Sequence, residues 1–388
     1  MAWHIISIIA YGMLSALDPL LFIYIAYSLN VNGIYLGILS TMWSIAYIIA
    51  NKVLGILADH GSNKMLCTIT LLCVSLITYF FNNISFVIGF FLYILHAIAI
   101  ASLNLAISVT TLESFDSDSW NRMTLYNRVV SNIARGSTLV IASILSVASI
   151  INIFYAVLLC IAITAILMPS LIIAFERRFY KLNKILDRIG YYIKASSSLL
   201  YIDRPKTAVE IFARFWDSIE SISPIKVLIS IAGGVAVGDY IFTIVPLVVK
   251  SKIVVTDMWK VYGIAAIISA LINLLLRNAD FSSSVFAFTV SLLRLVALTI
   301  GFGLISNVLH LLLYIVVSSM LFMILDITLY NIYISTQAGY GTSTYFIFRE
   351  LGSIMGSLIG GLTIGLGQHT FLLIAMIIGL ATAIPLIL

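Results

Sequence analysis

Long apolar runs, broken by short polar turns, recur along the whole chain. A run of ~20 residues rising 1.5 Å each crosses the hydrocarbon layer of a membrane. Inside that layer a run must satisfy its own backbone polar groups, which selects helices over open strands. Twelve spans are expected, at about 4–28, 33–57, 65–82, 84–107, 124–146, 149–173, 227–249, 259–278, 283–304, 306–331, 343–365 and 369–388. The fold class that follows is an all-α polytopic membrane protein with 12 transmembrane helices, which the repeat and the resemblance described below divide into two pseudo-symmetric six-helix bundles.

One connection departs from the short turns. Residues 176–225 hold nine of the 21 basic residues and divide the spans six and six. The expected organisation is an N-terminal bundle over 1–175, a central loop over 176–225 and a C-terminal bundle over 226–388. Basic loops stay on the cytoplasmic side, so both termini are expected there too, in a cell membrane. The opposite loops carry Lys250, Lys252 and Lys260 and little else basic. Within the central loop Phe179, Leu182, Ile185, Leu186 and Ile189 form one apolar stripe, and Val209, Phe212, Trp216 and Ile219 a second. Both read as amphipathic helices lying on the membrane surface, clamping the halves together or serving a partner.

Composition agrees with the pattern. The chain is 62% hydrophobic and 10% charged, with mean hydropathy +1.13, against about 25% charged in a soluble domain. The net charge of +5 then reports membrane orientation and not nucleic-acid binding. Cys67, Cys73 and Cys160 fall inside apolar runs and read as packing residues. The N-terminal run has no basic leader region and no small-residue cleavage site, and reads as a retained span.

Six spans, a basic loop and six spans suggest a duplication. Shifting the chain by 221 residues lays Asp18 on Asp239, Asp59 on Asp280 and Arg128 on Arg349, in a chain with only 11 Asp and 11 Arg. Each pair falls at the same place in its half. "GMLSALD" matches "GGVAVGD" at its first Gly and final Asp, and "ILAD" lies over "RNAD".

The turn between spans 2 and 3 reads "GILADHGSNK". Gly55, Leu57, Ala58, Asp59 and Lys64 stand where the signature of the major facilitator superfamily has them. His60 replaces a base, Ser62 a glycine and Asn63 a base, with Gly61 one place early. With twelve spans and a six-plus-six repeat, the whole chain resembles that superfamily, whose halves repeat in parallel about an axis along the membrane normal. The resemblance implies a cytoplasmic gate. In it Asp59 would face Arg122 or Arg128, with Glu113 as a further partner and Gly55 and Lys64 as support, and Asp280 would pair with Arg349. A carboxylate partly shielded from water gains more from a guanidinium than a solvated one does, and such a pair can break without unfolding the protein. The plain alternative is that Asp59 only marks a polar turn.

Ionisable groups inside spans are costly and mark candidate sites. Near mid-span lie Asp18, His96, Arg135, Asp239 and Arg294; Asp326 and Asn104 lie nearer the cytoplasmic ends. Arg128, Asn132 and Arg135 share one face of span 5. The resemblance puts spans 1, 4, 7 and 10 around the central cavity. The candidate solute- and ion-binding residues are therefore Asp18, His96, Asn132, Arg135, Asp239 and Asp326. In this expectation Asp18 and Asp239 include the proton-carrying carboxylate, and Arg135 is the solute contact or counter-ion. A static ion pair is the competing account of each, and for Arg294 the favoured one. Pro19 and Pro246 free backbone carbonyls and permit kinks. Gly352, Gly356 and Gly360 form a face for close helix contact.

No phosphate-binding loop, metal cluster or nucleophile elbow is visible, so no metal, no cofactor and no enzymatic reaction are expected. The expected function is secondary active transport of a small solute by alternating access, proton-coupled, in a monomer surrounded by lipid. Arg135 tilts the choice toward a polar or anionic solute. Proton-driven efflux of lipophilic compounds is the alternative, and span 5 lacks the Gly-Pro pair of such antiporters. A membrane enzyme acting on lipid ranks below both.

Overall fold

The computed structural model describes residues 2–115, 120–145, 149–169, 223–275, 283–336 and 342–387. Twelve long helices account for nearly all of them. The first six are α1 (Ala2–Ser28), α2 (Gly33–Asp59), α3 (Asn63–Phe80), α4 (Phe86–Ser114), α5 (Trp120–Ile144) and α6 (Ile151–Leu167). The second six are α7 (Pro224–Phe242), α8 (Val255–Leu275), α9 (Ser284–Gly303), α10 (Val308–Thr336), α11 (Thr342–Thr363) and α12 (Gln368–Ala383). The described residues contain no strand. Ten helices are long and apolar enough to cross a membrane, and α6 is a shorter apolar helix. The long α5 is not among the ten, because the face bearing Arg128, Asn132 and Arg135 lowers its apolar content. The amphipathic stripes of the central loop and Asp280 lie outside the described residues.

The packing repeats with the chain. In the first half α1 packs on α4, α5 and α6, α2 on α4, and α3 on α4 and α6. Adding six to every helix reproduces the second half: α7 packs on α10, α11 and α12, α8 on α10, and α9 on α10 and α12. The main contacts between halves obey the same rule, α5 with α8 and α2 with α11.

These seams are lined by residues without bulk. A side chain on Gly136 of α5 would stand 2.5 Å from the Gly263 carbonyl of α8, and one on Gly263 would stand 2.8 Å from the Gly136 carbonyl. On the other seam a Cβ on Gly361 would meet Gly37 Cα at 2.9 Å. Hydroxyls follow along the same stripe, Ser40 with Ser357 at 2.9 Å and Ser44 with Ser353 at 3.2 Å. Gly352, Gly356 and Gly360 serve the contact inside the second half, against the backbones of Ala232, Ala236 and Tyr240 on α7.

The end holding the α1–α2 and α7–α8 turns is called distal here; the opposite end, with the start of α1 and the α2–α3 turn, is proximal. At the distal end the halves touch directly. The Lys250 ammonium donates to the Ala26 and Tyr27 carbonyls and to Asn30 Oδ1, and the Tyr27 hydroxyl donates to the Ile253 carbonyl at 2.8 Å.

Two local breaks bear on the site. Pro246 has no N–H to continue α7. The helix stops at Phe242, passes through Thr243 and Ile244, and resumes as the short helix Val245–Val249. Pro19, by contrast, lies inside a continuous α1. At the proximal turn Gly61 adopts φ +72°. Its N–H bonds to the Ala58 carbonyl and that of Ser62 to Leu57, the paired closure that ends a helix on a left-handed glycine. Asn63 then anchors α3, donating to Thr110 Oγ1 at 3.0 Å and to the Pro169 carbonyl at 2.8 Å.

Candidate functional site

Between the halves, about midway along the helices, two adjoining cavities of about 200 and 130 Å³ share Arg135, Phe242 and Tyr262. The smaller adds Asp18, Tyr93 and Asp239, and the larger adds Asn132. Asp18 and Asp239, equivalent in the repeat, thus reach one space from α1 and α7.

Asp18 is held from two sides. The Tyr93 hydroxyl of α4 donates to its Oδ1, and Arg135 Nη2 of α5 stands 3.9 Å from its Oδ2. That separation is an ion pair but too long for an N–H···O hydrogen bond. The two side chains keep 34% (Arg135) and 35% (Asp18) of their surface open. The guanidinium therefore turns unused donors to the cavity. The small residues on α1 explain how α5 comes so near: Gly12 lies directly against the Ser131 backbone and Ala134.

Asp239 closes the opposite wall. The Ser353 hydroxyl of α11 faces it, and Arg294, Arg349 and Asp18 lie within electrostatic range. Phe242, the last residue of α7, and Thr243, directly after it, line the same space.

His96 is not in the cavity wall. It is fully buried, accepts from Trp43 Nε1 at Nδ1 (3.0 Å) and contacts the Leu14 carbonyl through Nε2 (3.0 Å). Those partners fix a neutral ring with its hydrogen on Nε2, tying α1, α2 and α4 together. Asp326 also lies off both cavities. It takes the Tyr345 hydroxyl at 3.0 Å and Arg349 Nη1 at 3.4 Å, because the α10–α11 hairpin sets those positions side by side. Arg349, expected to pair with Asp280, is thus paired with Asp326 of α10.

Of the expected gate, Asp59, Glu113 and Arg122 lie in described helices but their side chains lie outside the described residues, as does Asp280. Arg128 is exposed on α5, within electrostatic range of Tyr330 on α10. Lys64 is exposed. Gly55 has no atom within 4 Å of where a side chain would start, so nothing there demands glycine; the turn's glycine is Gly61.

Several residues were missed from the sequence. Tyr93 stands three positions before His96, and nothing in its apolar run marks it out from the other aromatics. Tyr262 and Phe242 carry no charge to flag them. Glu350, directly after Arg349, is half-buried within electrostatic range of Asp239 and of Tyr47 on α2. An acid inside an apolar helix was a signal for it, obscured by the neighbouring arginine.

Comparison with known proteins gives a family. The model of the Major Facilitator Superfamily matches residues 3–357. No curated protein sequence matches significantly. Among solved structures the chain is similar to the nucleoside transporter NupG, with 14% identity, TM-score 0.61 and coverage of 99% of this chain and 96% of that one. It is also similar to a mutant of the peptide transporter POT in complex with alafosfalin, with 12% identity, TM-score 0.64 and coverage of 99% and 93%. A third is a POT family transporter in complex with 5-aminolevulinic acid, with 12% identity, TM-score 0.60 and coverage of 100% and 94%. Identities this low carry the fold and not the solute. A family match spanning nearly the whole chain, with twelve helices in two matching halves, makes this a multi-pass membrane protein of the transporter class and not an enzyme: the chain belongs to the major facilitator superfamily.

Proposed function

We propose that the chain is a proton-coupled secondary transporter of a small polar solute bearing an anionic group. The observation that carries this is the loose Asp18–Arg135 pair, open to a cavity that Asp239 closes from the other half. With Asp18 ionised, the guanidinium is neutralised by its neighbour. A proton on Asp18 removes that counter-charge and frees Arg135 for an anionic group on the solute, in fork geometry. Proton and solute then enter the site together, and rocking of the halves carries both across. The charged lining favours a polar solute over a lipophilic one, and the similar structures are of transporters for nucleosides and peptides. In the same reading the protein is a monomer in a cell membrane with both termini cytoplasmic, and the α2–α3 turn around Asp59 acts as the proximal gate. The central loop joins the two bundles on that side.

The test is reconstitution into liposomes with an imposed proton gradient and a panel of labelled solutes: organic anions, zwitterions, neutral sugars and lipophilic cations. Gradient-dependent accumulation of an anionic or zwitterionic member is expected. Accumulation of lipophilic cations alone, or equal flux with and without the gradient, would overturn the proposal.

A further inference from the structure

The two central cavities differ in charge. Asp18 and Asp239 both line the smaller one. Among the described residues no acidic side chain lines the larger, and Arg135 is its one charge. Arg135, Phe242 and Tyr262 stand between the two and belong to both. One side of the guanidinium is already given to Asp18. An anionic group on its remaining donors therefore directs the rest of the solute into the larger cavity.

That cavity is a lobe of the second half, closed by the polar face of α5. Gly136 follows Arg135 and Gly263 follows Tyr262, and a side chain on Gly136 would begin 2.5 Å from the Gly263 carbonyl. This close approach brings the preceding residues, Arg135 and Tyr262, to one space. From Tyr262 the lining runs on through Ala265, Ala266 and Ser269 of α8, the spacing of a single helix face. The two alanines withhold bulk where a longer side chain would fill the lobe. Tyr262 and Phe242 give it aromatic walls, and Ile315 of α10 closes the apolar lining.

The remaining polar groups are neutral. Asn132 lies one turn from Arg135 on the same face of α5, in reach of the same anionic group, and Ser269 and Ser319 complete the lining. Apolar walls with a few placed polar groups are what hold and orient a small ligand. Size narrows the choice further. A dry apolar cavity of ~150 Å³ holds one benzene ring. The lobe, at about 200 Å³, accordingly takes a body of roughly eight non-hydrogen atoms.

We propose that the solute is a monocarboxylate with an uncharged, mainly apolar body about the size of one ring, its carboxylate on Arg135 and its body in the lobe between α8 and α10. The proposal deepens the transport reading above and rests on it for the anionic group. The same lobe sets what is refused. The ammonium of an amino acid would stand beside the guanidinium, with no acid in the lobe to meet it, and a buried unpaired charge is costly.

The test is calorimetric binding to the full chain in lipid nanodiscs, at one mildly acidic pH, with four matched probes. Phenylpropanoate has the carboxylate and one ring. Phenylalanine adds only an α-ammonium, acetate lacks the body, and phenylpropanamide lacks the charge. Phenylpropanoate should bind at least about tenfold more tightly than each of the others. Ala266→Leu takes space from the lobe and should narrow the gap between phenylpropanoate and acetate by about tenfold. Phenylalanine or acetate binding as tightly as phenylpropanoate overturns the proposal, as does an unchanged gap in Ala266→Leu; if that variant does not fold, the wild-type ranking decides alone. Equal binding of phenylpropanamide, or no binding of any carboxylate, overturns the proposal together with the anionic group of the reading above. The expected ranking in a protein showing no gradient-driven flux in liposomes would sustain this inference and defeat the transport reading.

Discussion

Lys250 Nζ donates to the Tyr27 carbonyl at 2.8 Å, joining the second half of the molecule to the last turn of α1 in the first. The same ammonium reaches Asn30 Oδ1 at 2.7 Å and the Ala26 carbonyl at 3.2 Å. A cation on the open carbonyls of a helix C-terminus is well placed by charge as well as by hydrogen bonding. These bonds must break before the distal end can open. Hydrogen bonds to a charged group contribute about 1.5–3 kcal/mol, so Lys250→Met should raise the distal-open population roughly tenfold. Spin labels at exposed Ile34 and Val254 would report it as a longer distance between the halves. Distance distributions identical to wild type would remove Lys250 from the latch.

Asp18→Asn should separate coupling from passage. The amide cannot neutralise Arg135, so the guanidinium stays free for solute whatever the pH. Solute exchange between equal pools should persist within several-fold of wild type, while gradient-driven accumulation disappears. Accumulation that survives in Asp18→Asn would assign coupling elsewhere in the cavity.

Two glycines six residues apart should respond in opposite ways. Gly55→Ala meets no neighbour and should leave thermal unfolding and transport unchanged. Gly61→Ala forces a side chain onto φ +72°, costing about 1 kcal/mol, and should lower Tm measurably. Equal effects of the two would contradict the account of the α2–α3 turn.

His96 is bound on both ring nitrogens and faces no cavity. His96→Phe leaves the Trp43 indole N–H without its acceptor and should cost about 1–3 kcal/mol in stability. The pH profile of whatever transport remains should match wild type. A displaced profile would return His96 to the proton path.

The architecture was legible in the sequence because membranes impose it: apolar length and charge placement reveal the helices, and α5 betrayed its cavity face by carrying Asn132 and Arg135 at helical spacing. The offset of 221 residues brought Asp18 and Asp239 to equivalent places, and both line one cavity. What stayed hidden depends on how separate helices meet. That Tyr93 bonds Asp18, that Asp326 takes Arg349, and that Arg294 enters the space left by Gly238 are facts of packing between helices, and no spacing along a single helix encodes them. The same offset also sets Tyr93 on Tyr314, but Tyr314 donates to the Leu298 carbonyl and not to Asp239. The repeat kept the residue there and changed its partner.

The serine pairs between α2 and α11 set the character of the protein's motion. A dry apolar seam would resist wetting, and a seam of opposite charges would hold fast in lipid and weaken in salt. Hydroxyls facing hydroxyls, Ser40 with Ser357 and Ser44 with Ser353, exchange each other for water at little net gain or loss. Such a surface is nearly indifferent to being shut or flooded. The decision between the two postures is thereby left to the charges at the centre and to the lysine at the rim.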